Sequence, residues 1–176
     1  MLKVKILFSI CALLATSLVS AQTWSLGGAA IYGDDIGEPG IHARGYFNSK
    51  NGKTCFGPEF SRFIKSTETI NGHEVSKQLS EVNFNLHYII ELKEEWGFYP
   101  LIGLNMSFEK EEIKDDLGEV EVESKDVFGA NLGAGIHRMG EKWIFFAEYD
   151  HLFSDLSQNS YLIGAFYTFG KTTEHE

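Results

Sequence analysis

From Glu81 to Leu92 the chain alternates almost without a slip. Val82, Phe84, Leu86, Tyr88, Ile90 and Leu92 fall on one side, and Glu81, Asn83, Asn85, His87 and Glu91 on the other. A period of two is that of a strand whose two faces meet different surroundings. Similar runs, each bounded by turn chemistry, predict eight strands, over residues 24–32, 40–47, 55–66, 80–92, 97–113, 120–137, 143–153 and 160–169. No helical periodicity competes beyond Gln22. The connections alternate too. Those after strands two, four and six are tight ("NSKNGKT", "KEEW", "RMGEK"), whereas those after one, three and five are longer and polar ("GDDIGEPG", "TETINGHEVSKQ", "KDDLGEV"); the last, "SDLSQNS", is intermediate. Short turns at one end and long loops at the other are the asymmetry of an up-and-down barrel through an outer membrane, with the short ends periplasmic.

Volume decides which face points inward. If the oily faces turned in, eight strands would have to enclose Phe84, Leu86, Tyr88, Ile102, Met106, Phe108, Phe128, Phe145, Tyr149, Tyr161 and Tyr167 together with many aliphatic residues. A barrel of that strand number has room for ordinary side-chain filling and no more, so this interior would be overpacked. The opposite face carries Gly27, Gly103, Gly129, Gly133, Gly135 and Gly164 with Asn83, Asn85, Asn105, Asn131, His87 and Glu148. Small and polar groups suit a narrow lumen, which leaves the oily face for lipid. Aromatic placement points the same way. Trp24, Trp96 and Trp143 all stand at the short-turn end of their strands, with Phe47, Phe56, Phe98 and Phe169, while Tyr32, Phe63, Phe108, Phe153 and Tyr161 gather at the other. Two girdles are what amphipathic rings form at the two headgroup levels.

The N-terminus fits an exported protein. Lys3 and Lys5 precede the run "ILFSICALLATSLV", and "VSA" before Gln22 is a signal-peptidase site, so residues 1–21 are expected to be a signal peptide and 22–176 the barrel domain. Removing 21 of the 176 residues leaves 155, and the formal charge of −10 becomes −12 as the two lysines leave. That acidity excludes the basic footprint a nucleic-acid partner requires. Cys11 leaves with the signal, so Cys55 is left without a partner for a disulfide or a cysteine-based zinc site.

With its eight strands and closing stretch "YLIGAFYTF", the chain resembles the small eight-stranded outer-membrane barrels, OmpX-like and OmpA-like, over nearly all its mature length. The closing stretch is similar to that family's C-terminal assembly signal of alternating apolar residues ending in Phe. The chain departs from the pattern in that "GKTTEHE" follows Phe169.

Candidate chemistry is sparse. Arg44 and Glu59 are expected to be adjacent-strand partners in the lumen, with His42, His87, His137, Glu148 and Asp150 nearby, since a buried charge must be paired or hydrated. The resemblance implies the same, a salt-bridged lumen acting as a structural plug. Trp24, Trp96, Trp143 and Phe169 are the expected girdle residues. Glu109 to Asp126 holds nine carboxylates against three lysines, without the fixed spacing and glycine placement of a calcium loop. Its alternation continues past Ile113 to Val120 and Val122, and "ETINGHEV" carries the tight-turn pair Asn71-Gly72, so strands three to six are expected to project as a small sheet with free edges open to strand addition. OmpX-like barrels show such a projection, which implies surface binding or adhesion. Two rival classes compete with this reading. A lipid A deacylase would need a Ser–His–acid unit; "EYDHLFSD" offers His151, Ser154 and Asp155, but residues three apart on a strand face opposite ways. A small porin would need a channel that eight filled strands do not leave. The expectation is a monomeric, non-enzymatic barrel without cofactor or metal, its partners the bilayer and an extracellular protein or surface ligand.

Overall fold

The computed structural model describes residues 23–70, 73–93, 95–114 and 120–169. The expected signal segment, the Asn71-Gly72 turn, the "DDLG" turn and the tail after Phe169 lie outside these residues. Among the described residues ten strands follow one another: β1 (Thr23–Gly33), β2 (Glu38–Asn48), β3 (Thr54–Phe63), β4 (Ser66–Ile70), β5 (His73–Tyr88), β6 (Ile90–Glu91), β7 (Trp96–Lys114), β8 (Val120–Met139), β9 (Trp143–Phe153) and β10 (Gln158–Phe169). They form eight staves, because β4 continues the line of β3 and β6 that of β5. All pairings are antiparallel. The barrel closes where β1 meets β10, in register from Trp24↔Phe169 to Gly33↔Ser160.

The faces are sorted as the volume argument requires. Ile41, Phe128 and Ile163 on the outer wall are each 69% exposed, while Asn85, Ser61 and Ser107 on the inner wall are 0% exposed. Only a wall that meets lipid tolerates that inversion, and only a closed barrel leaves no unpaired strand edge in it. Trp24 stacks on Phe169 with centroids 4.0 Å apart, and Trp143 lies edge-on to Tyr167 at 5.2 Å, so the short-turn end carries an aromatic band across β1, β10 and β9. At the other end Tyr32, Tyr161 and Tyr149 stand in register across three staves. Phe63 corrects the expectation. It is 1% exposed and packs inside the barrel mouth with Ile31 and Leu79 rather than in the outer girdle.

The short turns are closed by backbone geometry. Gly52 takes φ +67° in the first, and Glu95 takes φ +69° in the second, an uncommon conformation for a side-chain-bearing residue. In the third, the Gly140 N–H donates to the Trp143 carbonyl at 2.7 Å.

Stave lengths are unequal. β1 has 11 residues, β7 has 19 and β8 has 20. At ~3.4 Å per residue and a tilt of ~40°, the short staves rise about 29 Å, enough for the apolar band, and the long ones about 50 Å. The difference, about 20 Å by the same rise and tilt, stands above the membrane.

Candidate functional site

Two regions carry the polar chemistry, the middle of the lumen and the projecting sheet. In the lumen, Arg44 on β2 is completely buried and spans the barrel. Its Nη1 and Nη2 donate to Glu148 on β9 at 2.8 and 2.7 Å, a two-pronged pair, and its Nε donates to His42 Nε2 at 2.8 Å. Since His42 accepts at Nε2, its proton sits on Nδ1, which donates to Ser61 Oγ at 2.9 Å. Glu59, the register neighbour of Arg44, lies 3.7 Å from Nη2. Its stronger contact is a hydrogen bond from the Tyr46 hydroxyl, which in turn lies 2.9 Å from His87 Nε2. Tyr99 donates to Glu148 at 2.8 Å, and the guanidinium lies 4.5 Å from the Phe146 ring centroid.

The structure thus brings His42, Arg44, Glu59, His87 and Glu148 into one cluster, in which the hydrogen-bonded groups around Glu148 and around Glu59 are joined by the approach of Glu59 to His42 at 3.4 Å and to Arg44 at 3.7 Å. Asp150 lies apart from it: it is half-buried, two residues nearer the extracellular mouth, and its Oδ1 has no hydrogen-bond partner among the described residues. His137 stacks on Tyr99 at 5.6 Å, and its Nε2 has no hydrogen-bond partner among the described residues. An asparagine cluster sits toward the mouth, where Asn105 donates to Asn83 at 2.6 Å and Ser107 donates to Asn105 at 2.8 Å. Cavities of about 150 Å³ at the extracellular end and about 40 Å³ at the periplasmic end share no lining residue.

Sequence reasoning missed the aromatic half of this lumen. Tyr46, Tyr99, Phe146 and Phe166 are all buried inside. In "WGFYPLIGL" and "WIFFAEY" both faces of the strand are apolar, so alternation alone does not sort them. The available signal is the glycine opposite: a Cβ on Gly135 would sit 2.3 Å from Tyr99 Cζ, so the two positions form a large-and-small pair across the β7–β8 ladder.

Above the membrane, β4, β5, β7 and β8 form a four-stranded sheet. Among the described residues β4 pairs only with β5, and β8 from Val120 to Gly129 pairs only with β7, since β9 joins it from Ala130 onward. Both outer edges are therefore free. Residues 120–126 of β8 are exposed throughout, with Val120 at 56% and Val122 at 51%. Glu111 stands directly opposite Glu123, and Lys77, its register partner on β5, lies 3.6 Å from the Glu111 carboxylate, so Glu111 is compensated from the β5 side, while Glu123 on the edge strand has no ion pair among the described residues. Glu112 has its counter-charges already. Hydrogen bonds from Lys110 at 2.8 Å and Lys65 at 2.5 Å hold its carboxyl at about 2, well below the usual carboxylate range. At the rim, Asn159 donates two hydrogen bonds to Asp34, which lowers that carboxyl as well.

The residues considered for a hydrolytic unit do other work. The His151 ring bonds Asn159 through Nδ1 at 2.8 Å, and Ser154 Oγ accepts the Leu156 N–H at 3.0 Å in a turn. Among the described residues no cluster of three His, Cys, Asp or Glu is arranged to hold a metal.

No protein-family model matches the chain, and no curated protein matches its sequence. Solved structures do match its fold. The N-terminal barrel of Pseudomonas aeruginosa OprF superposes with a TM-score of 0.65 at 10% identity, covering 85% of this chain and 98% of that one. A major outer membrane protein of Thermus thermophilus gives 0.63 at 13%, covering 84% and 99%. Ail, the attachment invasion locus protein of Yersinia pestis, gives 0.55 at 16%, covering 84% and 95%. The chain has the fold of the small eight-stranded outer-membrane barrels.

Proposed function

We propose that this chain is a non-enzymatic barrel of the outer membrane whose filled lumen is structural and whose projecting acidic sheet binds a basic partner at the cell surface. The observation that carries the reading is the edge of β8: from Val120 to Gly129 it has one pairing neighbour among the described residues, and its other side offers unpaired N–H and C=O groups to an incoming strand. Charge sets the chemistry of that partner. Glu121 and Glu123, both exposed on the edge strand itself, favour lysine- or arginine-bearing strands. Support for a contact role comes from Ail, an attachment invasion locus protein that has also been solved with the heparin analogue sucrose octasulfate. That ligand is a polyanion, so the acidic sheet here calls for a partner of the opposite sign.

The lumen supports the non-conducting half of the reading. The buried Arg44 layer lies between two cavities that share no wall, and every donor of its guanidinium that is hydrogen-bonded is turned inward.

The test uses the full chain in lipid vesicles and a labelled alternating Lys-Val peptide as probe. Wild type should bind it, with affinity falling as salt rises. Val122→Pro and Glu123→Pro should together expose the edge mechanism, because successive N–H groups alternate in direction and one of the two points away from β7. One of them should lose binding and the other should keep most of it. Equal binding by wild type and both proline variants, or none by wild type, overturns the reading.

A further inference from the structure

The lipid-facing wall between β8, β9 and β10 is not uniform. Register places Trp96, Arg138, Phe145 and Ala165 in one outward row, and Phe98, Ile136, Ala147 and Ile163 in the next. In the second row Ala147 is short between two isoleucines. The result is a groove of about 420 Å³ on the outside of the barrel, lined by Ile136, Phe145, Ala147 and Ile163 and ending at Trp96 and Arg138.

A guanidinium faces outward at the end of this groove. Arg138 stands in the band marked by Trp96 and Trp143, at the level of the periplasmic headgroups. Its Nε lies 3.6 Å from Glu95 Oε2, and both side chains are more than half exposed, at 60% and 62%. Such a loose pair leaves the two Nη groups free to take a second anion, and their fork matches the oxygens of a phosphate.

We propose that this wall binds one phospholipid of the periplasmic leaflet, with its phosphate on the Nη groups of Arg138 and a stretch of one acyl chain in the groove over Ala147. The two halves of the site act differently. The tail lies in an apolar medium whether bound or free, so the groove contributes packing contact rather than a hydrophobic gain. The phosphate supplies the charge-assisted bonds, at the headgroup level where lipid phosphates themselves lie. Neither half binds well alone. The wall therefore selects a headgroup and a chain joined in one molecule.

The experiment is native mass spectrometry of the full-length barrel taken from nanodiscs of phosphatidylglycerol and phosphatidylethanolamine into mild detergent. Wild type should retain one phospholipid. Arg138→Ala should lower retention about tenfold, and Ala147→Phe, which fills the groove but leaves the arginine in place, should do so too. Arg138→Lys should retain an intermediate amount, because an ammonium lacks the fork. Both altered positions are on the outer wall, and an unchanged gel shift on boiling verifies that each variant is folded. Retention equal to wild type in Arg138→Ala and Ala147→Phe overturns the proposal. So does binding of inorganic phosphate alone with the same dependence on Arg138, which would make the site one for free anions.

Discussion

Replacing Arg44 with methionine keeps the side chain's bulk and removes its charge, which makes it the most direct probe of the lumen. The guanidinium makes three hydrogen bonds, two to Glu148 and one to His42, with no solvent exposure of its side chain. Breaking a buried ion pair from one side costs about 3–5 kcal/mol, because the partner keeps a charge it can no longer compensate. Glu148 would retain only the Tyr99 hydroxyl, so Arg44→Met belongs at the upper part of that range. Glu59→Gln should cost less, about 1–2 kcal/mol. Its carboxylate sits 3.7 Å from Arg44 and is held by Tyr46 instead. In the double variant Arg44→Met/Glu148→Gln much of the loss should return, giving a coupling of about 2 kcal/mol or more. The assay is reversible urea unfolding in lipid vesicles, followed by tryptophan fluorescence, with the four proteins of the cycle and Glu59→Gln measured side by side. A loss below about 1 kcal/mol for Arg44→Met refutes the account, since a buried pair cannot break so cheaply. Glu59→Gln exceeding Glu148→Gln would refute the assignment of Glu148 as the principal partner.

Other outcomes follow from single contacts. Purified protein in planar bilayers should show no large, steady conductance, and such a conductance would remove the filled-lumen reading. Gly135→Val should destabilise the barrel by about 1–3 kcal/mol or prevent folding, because its side chain would enter the Tyr99 ring; a neutral effect in urea unfolding would contradict the packing. The Glu112 carboxyl should titrate near 2 by NMR, and Lys110→Ala should raise it toward the ordinary value. Its folded-state value is depressed, so whatever it contributes to the hairpin is present above the unfolded value of about 4.5 and lost as pH falls toward 2. A midpoint unmoved by Lys110→Ala would break that account.

The outer wall is legible because its surroundings impose a simple rule on every second residue. Val82, Leu86, Tyr88, Ile102, Leu104 and Met106 are all more than 40% exposed on it. The inner wall has no such rule. Asn83, Asn85 and Asn105 read as inward by their polarity, but Tyr99 and Phe146 are as apolar as the residues flanking them and their direction depends on the space across the lumen. Partners along the sheet follow from register, which is why Arg44 beside Glu59 can be read from sequence. Partners across the lumen follow from barrel diameter and side-chain length. Glu148, 104 residues from Arg44, reads as a residue of the same lumen, but no sequence signal matches it to the arginine. Phe63 reads wrongly because its strand ends at the membrane boundary, where an aromatic serves equally well as a girdle residue outside or as filling within.

The wall and the projecting sheet share β5, β7 and β8, yet they satisfy different conditions. Within the membrane every backbone group must be paired, and eight staves meet that requirement only by closing. Above it, water satisfies the free edges of β4 and β8, so the same strands continue without closure. The two parts should then be separable. Replacing residues 110–124 with a two-residue Asn-Gly turn keeps the β7–β8 ladder from Trp96↔Arg138 through Phe108↔Asp126, which covers the outer aromatic bands. Such a variant should still enter the outer membrane, still migrate differently with and without boiling, and lose the Lys-Val peptide. If it fails to fold although the membrane-level ladder is intact, the hairpin is needed to start or to close the barrel. The acidic sheet would then be part of assembly, and its free edge would no longer argue for a partner.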